Sequence, residues 1–297
     1  IARRQRQMCI RDRSKDPSAV TYLPIVEPLV NILNVLSPSD VASYINYVIQ
    51  SNTAYVDYIA GLFNNIYTPQ FIAQLLNSTA YLPPATAASI LNSNNFRLLE
   101  KLATALASTA YITPDAAAAV MSNMNLGRAA LVIADAVRLP VSVSAQILNS
   151  NNISATFAAQ ILGSTQYVPI GVTAQILAQT AYLSVSKSAL ILAQTAYIPV
   201  SISAQIISQT VYLPVNVSAS ILSQTANLPV SISAQILAQT SYLPVSLSAQ
   251  ILAQTAYLPV SISASILNQT AYLPISVSAQ ILAQTAYLPT NAVWRDN

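Results

Sequence analysis

One block of 15 residues returns along this chain with little change. In "VSISAQILAQTSYLP", Val230 to Pro244, the Ile236-Leu237 pair marks the period. The first member of that pair recurs at Ile147, Ile161, Ile176, Ile191, Ile206, Ile221, Ile251, Ile266 and Ile281. In diverged form it recurs at Leu75, Ile90, Ala105, Val120 and Val132, with Ile32, Val48 and Leu62 as weaker members upstream. A fixed period of this length is the signature of a solenoid, whose units bury their apolar faces only against one another. The expectation is one array of about 18 units over residues 24–289. Residues 14–23 read as a disordered lead-in and 290–297 as a tail or a cut unit.

The late copies fit two periods. With a period of 2, Val230, Ile232, Ala234 and Ile236 alternate with Ser231, Ser233, Gln235 and Leu237, as on a strand. At about 100° per residue, Ile232, Ser233, Ile236, Leu237, Thr240 and Leu243 share one side, as on a helix, with Ala234 and Ala238 elsewhere. Three features favour the helix. The diverged unit "TPQFIAQLLNST" keeps Phe71, Ile72, Leu75 and Leu76 on one helical face, and Ala116 to Ala119 are strong helix formers. Ser37-Pro38, Thr68-Pro69 and Thr113-Pro114 match an N-cap followed by proline at the first helical position. An odd period would flip a strand's faces in each successive unit, and four glycines, Gly61, Gly127, Gly163 and Gly171, supply few tight corners; they read as turn or spacing variants. The expected fold is all-α, an α-solenoid of single-helix repeats, with a β-solenoid as the alternative. Each helix is expected to run from about Ser231 to Thr240 in the reference unit, followed by a turn ending at Leu243-Pro244.

The segment Thr113 to Val137, "TPDAAAAVMSNMNLGRAALVIADAV", resembles the short-helix superhelical repeats of the MgtE magnesium-channel N-domain and its FliG-like relatives. Their "DP-x-x-AA-x-[IV]-[LM]" unit is matched by Pro114, Ala117, Ala118, Val120 and Met121, while Thr113 departs from its aspartate. The resemblance implies a superhelical stack of helices. It implies no transport, since the family's acidic metal sites have no counterpart in this segment.

Charge is concentrated in the upstream half. From Leu139 to Trp294 the only charged residue is Lys187. The first 13 residues hold Arg3, Arg4, Arg6, Arg11, Arg13, Asp12 and the only cysteine, Cys9. Within them "MCIRDR", Met8 to Arg13, resembles a translated sequencing-adapter end, which makes Ile1 to Arg13 a non-native scar; the alternative is a basic arm for nucleic acid or anionic lipid. Without that segment the net charge of +3 becomes slightly negative, and no nucleic-acid partner is expected. Although 54% of residues are hydrophobic, Ser, Gln, Thr and Pro interrupt every apolar run before the length of about 20 that a membrane span needs.

No catalytic constellation emerges. There is no histidine, and outside the first segment no cysteine, so triad and thiol schemes lack their parts. The acids Asp16, Glu27, Asp40, Asp57, Glu100, Asp115, Asp135 and Asp296 stand singly, and no catalytic, cofactor or metal site is expected. Asp115 suits the start of a helix dipole. Four sequons, at Asn77, Asn152, Asn216 and Asn268, matter only in a secreted chain.

Two ladders remain. Tyrosine precedes the Leu-Pro turn at Tyr167, Tyr182, Tyr197, Tyr212, Tyr242, Tyr257, Tyr272 and Tyr287, with Asn227 in its place in one unit. Glutamine stands three residues earlier at Gln179, Gln194, Gln209, Gln224, Gln239, Gln254, Gln269 and Gln284. Together they form a possible ligand edge for a peptide or glycan; equally, tyrosine covers the turn with its hydroxyl in water while glutamine is a neutral solvated face. The functional expectation is a non-enzymatic repeat scaffold, structural or protein- or glycan-binding, prone to self-association and suited to a cell or virion surface. The alternatives are a self-assembling filament or coat component, and the binding region of a larger enzyme.

Overall fold

The computed structural model describes residues 36–283. The readings made for residues 1–13, 14–23 and 290–297, and for Ile32, Gln284 and Tyr287, fall outside that range. Seventeen α-helices follow one another, and the described residues contain no strand. The upstream helices are α1 (Pro38–Ser51), α2 (Tyr55–Asn65), α3 (Pro69–Asn77), α4 (Pro84–Asn92), α5 (Leu99–Ala107) and α6 (Pro114–Met121). Then come α7 (Leu126–Ala134), α8 (Val141–Asn149), α9 (Ala155–Gly163), α10 (Ile170–Leu177), α11 (Val185–Leu192) and α12 (Val200–Ser208). The array continues through α13 (Val215–Leu222), α14 (Val230–Leu237), α15 (Val245–Leu252), α16 (Val260–Leu267) and α17 (Ile275–Leu282). The expected all-α solenoid is the fold, one helix per repeat.

Each helix packs chiefly on the helices two before and two after it: α3 on α5, α4 on α6, and so on to α15 on α17. Odd and even helices therefore form two rows, and one turn of the solenoid takes two units. A continuous apolar core runs through the array. The repeat's marker residue is its centre: Leu75, Ile90, Ala105, Val132, Ile147, Ile236 and Ile281 are all fully buried. Helices of eight residues are too short to persist alone in water. Burial of side chains such as Ile236, Leu237 and Leu243, worth about 1.5–3 kcal/mol each, is what holds them.

It is convenient to number a unit from Val230 (position 1) to Pro244 (position 15). The helix starts at position 1, with Pro229 as N-cap residue, its carbonyl accepting from the N–H of Ile232 and Ser233. In the units that begin Thr-Pro or Ser-Pro, the hydroxyls of Thr68, Thr113 and Ser37 accept from the N–H of Phe71, Ala116 and Asp40, as their sequence predicts. The helix ends at Leu237 and not at Thr240. There the Thr240 N–H turns back to the Ala238 carbonyl (2.8 Å), and the Gln239 carbonyl accepts from both Tyr242 (3.0 Å) and Leu243 (2.8 Å). This turn swings Leu243 into the core and leaves Thr240 exposed, off the apolar face where the helical reading placed it. It needs no left-handed residue: among the described residues no φ is positive, and all four glycines lie in helices, not in turns. Only Gly163 requires its missing side chain, because a β-carbon there would stand 2.3 Å from the Tyr197 carbonyl oxygen.

The buried arc is also wider than a single amphipathic face. Ala234 is fully buried and Ile232 only half-buried, because each helix is enclosed by its own row as well as by the opposite one. Position 4 faces consecutive helices across the core: Thr173 Oγ1 donates to the Leu162 carbonyl (3.3 Å) and Ser263 Oγ to that of Leu252 (3.4 Å). At Ser144, Ser203, Ser218, Ser233 and Ser248 the same hydroxyl is buried without a hydrogen-bond partner. Earlier units carry alanine there, at Ala87, Ala117, Ala129 and Ala158. A buried unpartnered hydroxyl is destabilising. Ser233→Ala is thus expected to raise the urea midpoint, by about 1 kcal/mol in stability; a lowered midpoint would show that the hydroxyl is bonded in solution.

Candidate functional site

The ladders expected from the sequence lie along the seams between successive layers of each row. The described tyrosines Tyr167, Tyr182, Tyr197, Tyr212, Tyr242, Tyr257 and Tyr272 are 37% to 46% exposed. Each ring that can be located against a glycine rests on position 2 of the unit two before it. A β-carbon on Gly127 would lie 3.6 Å from the Tyr167 ring, and one on Gly171 would lie 3.3 Å from that of Tyr212. The glutamines Gln179, Gln194, Gln209, Gln224, Gln239, Gln254 and Gln269 are half-buried, and their backbone carbonyls hold the turn. Two of their side chains accept across the same seam: Gln194 from Thr156 Oγ1 (3.4 Å) and Gln224 from Ser186 Oγ (3.1 Å). Position 2 of one layer thus meets positions 10 and 13 of the next. From α9 onward the ladders are surface lines, broken for tyrosine at Asn227, whose inner atoms join layers and whose outer atoms face solvent.

The same seam absorbs the charges. Glu100, at position 2 of α5, pairs with Arg138, at position 13 two units on, and Arg138 also reaches Asp135 at position 10 (3.1 Å). These exposed pairs contribute little. Two other acids sit in a more elaborate arrangement that occurs twice. Ser93 Oγ donates to Asp57 (2.5 Å) and Asn95 Nδ2 to the Asp57 carbonyl (3.4 Å). Likewise Ser150 Oγ donates to Asp115 (2.6 Å) and Asn152 Nδ2 to the Asp115 carbonyl (3.0 Å). Asp115 therefore does more than favour a helix dipole: it joins α6 to the turn after α8.

Both serines belong to "LNSNN" turns, in Leu91–Asn95 and Leu148–Asn152. These turns bring the apolar residue, Phe96 or Ile153, inward one position early. The Ser93 and Ser150 carbonyls each accept one turn N–H, where Gln239 accepts two. A cation from position 3, three helices further on, supplies the missing donors. Arg128 donates to the carbonyls of Leu91, Ser93 and Phe96 at 2.7–2.9 Å. Lys187 donates to those of Ser150 and Ile153, both at 2.7 Å. Lys101 does the same for Phe63 and Asn64. Burial lowers the pKa of Lys101 and Lys187. Charge-assisted bonds to carbonyls are the strong kind of hydrogen bond, so these cations are fasteners. The lone Lys187 of the neutral half has this use.

A second rule follows position 9. Asn64, Asn77, Asn92 and Asn149 accept, through Oδ1, the N–H of Leu98, Thr113, Asn125 and Ser184, the N-cap residues three helices on. Where that N-cap is proline, which has no N–H, position 9 carries no asparagine. Ala107, Ala134, Gly163, Ala178, Ala193, Ser208, Ser223 and Ala238 go with Pro140, Pro169, Pro199, Pro214, Pro229, Pro244, Pro259 and Pro274. Ser122 with Ser154 follows neither pattern. The role of these asparagines and cations does not follow from the sequence alone, where Asn77 stands out only as a sequon and Lys187 only as a lone charge, although the pairing of residue types about 35 positions apart was there to be read.

All five described carboxylates are engaged: Asp40 by Ser37, Asp57 by Ser93, Asp115 by Ser150, and Glu100 and Asp135 by Arg138. Among the described residues no three acidic, cysteine or histidine side chains gather, and no helix is long and apolar enough to cross a membrane. No protein family, curated protein or solved structure matches the chain.

The position-9 rule predicts a coupling. Asn149→Ala leaves the Ser184 N–H without its partner, and Ser184→Pro deprives Asn149 of its donor. The double variant recreates the Ala107/Pro140 combination. A double-mutant cycle in urea is expected to give a favourable coupling of about 0.5–1 kcal/mol; strictly additive losses would refute the rule.

Proposed function

We propose that this chain is a non-enzymatic repeat scaffold that presents a neutral line of tyrosine, glutamine and serine to a protein or glycan, and that it self-associates. The observation that carries the reading is how the chain spends its charges. Residues 36–283 contain five acids and five bases, a net charge of zero. Most of these bind within the chain, across seams or at turns, which leaves few ionic groups for an outside partner. What repeats outward is the half-exposed tyrosine and the hydroxyl and amide groups beside it. Tyrosine supplies apolar contact area with a polar tip, which suits reversible recognition.

A surface without net charge also lacks the repulsion that keeps proteins apart. Self-association through such a surface should depend little on ionic strength. Sedimentation equilibrium from about 0.05 to about 1 M NaCl, a range over which the screening length falls several-fold, is expected to show an oligomer population that does not dissociate with salt. A chain that stays monomeric throughout, or an oligomer lost at high salt, would contradict this part of the reading.

A further inference from the structure

The even row's tyrosine line starts at Tyr182; the ring position one layer earlier is vacant, and that gap is a pocket. In the even row, α10, α12, α14 and α16 are followed by Tyr182, Tyr212, Tyr242 and Tyr272. The turn after α8 is one residue short, Ile153 goes inward, and no tyrosine follows. By the ladder's geometry, the missing ring belongs on position 2 of α6, which is Asp115. A pocket of about 400 Å3 opens there, spanning three layers. Asp115 lines it from the layer before, Gln146, Asn149, Ser150 and Asn151 from the middle layer, and Tyr182 from the layer after. The volume lies within the range of small-molecule sites.

We infer that this gap is a binding site for a single neutral sugar ring. The slot is of a kind that a tyrosine ring fills in the layers that follow. Its lining selects the chemistry. The carboxylate of Asp115 accepts hydrogen bonds; the amides of Gln146 and Asn151 both donate and accept, and neither has a protein partner among the described residues. A pyranose offers adjacent hydroxyls that answer such groups. Its C–H groups suit contact with the part of the Tyr182 side chain that lines the pocket, a residue 44% exposed. No Lys or Arg lines the pocket, so a phosphate or carboxylate would meet Asp115 without a counter-charge. Lys187 is committed to the carbonyls of Ser150 and Ile153. Beyond the tyrosine ring only Pro114 and Ala181 add apolar surface, which disfavours a greasy ligand. The site also has a fixed frame: Ser150 is bonded to Asp115, and Asn149 to the Ser184 N–H.

The inference gives chemical content to the glycan part of the scaffold reading and rests on it. Its test is saturation-transfer NMR on the full chain with glucose, galactose, mannose and N-acetylglucosamine, each at about 10 mM, a concentration suited to the weak affinity of an open site. Transfer to the ring protons of at least one sugar is expected. It should be lost in Tyr182→Ala and in Asn151→Ala, and kept in Tyr242→Ala, a ladder position away from the gap. Asn151 is exposed and its side chain bonds to no described residue, so that variant keeps the fold, which circular dichroism verifies. Absence of transfer from all four sugars would overturn the inference, as would transfer that survives Tyr182→Ala or is lost equally in Tyr242→Ala. None of these outcomes bears on salt-independent self-association, which is measured without any sugar.

Discussion

An eight-residue helix makes about two turns and has no stability of its own. Everything in this molecule depends on each helix lying against the helices two units before and after it. That contact buries the marker residue at position 7 in every unit, and it sets which positions meet across the seams. The energy is spread along the array, as in other quasi-one-dimensional folds. No unit is a nucleus that the others decorate.

Lateral stacking creates a problem at each turn, where backbone groups come close to the helix three units on. The chain solves it in two ways. Most late units place proline at position 15, which removes the N–H, and a small residue at position 9, Asn268 being an exception. The units with Asn64, Asn77, Asn92 and Asn149 instead meet a retained N–H with asparagine. Turns that open further carbonyls recruit Arg128, Lys187 or Lys101. The first solution is uniform and neutral, so it can be copied without regard to its neighbours. The second ties particular layers together through pairs such as Asp115 and Ser150, or Lys187 and Ile153. This difference accounts physically for the contrast between the varied upstream half and the near-identical downstream half. The start of the even-row tyrosine line, with the pocket just ahead of it, falls where the two solutions meet.

Much of the fold was legible in the sequence because the period and the apolar marker speak directly of burial. Diverged units such as "TPQFIAQLLNST" settled helix over strand, and the Thr-Pro caps gave the starts. The helix ends were read three residues late, since Thr240 continues the helical spacing and only the burial of Leu243 shows that the chain has already turned. Ala234 was placed off the apolar face because a lone helical wheel has one face, whereas this helix has neighbours on three sides. The ladders were visible as lines of identical residues. That their inner atoms meet the previous layer was not, because the contact joins residues about 40 apart in sequence, as for Gly127 and Tyr167. The clasps were hidden for the same reason: Asp115 and Lys187 look like isolated charges until stacking brings the turn after α8 between them.

The stacking register can be read in solution with pairs of cysteines in a chain whose Cys9 is replaced by serine. Ser186 and Gln224 lie two units apart and touch across a seam, whereas Ser186 and Ser201 occupy the same position in consecutive units and would be superposed if each layer were one unit. With a short bifunctional thiol reagent that fluoresces only when both arms have reacted, S186C/Q224C is predicted to cross-link within one molecule and S186C/S201C is not. Cross-linking of the second pair in place of the first would contradict the two-unit turn on which this account of the molecule stands.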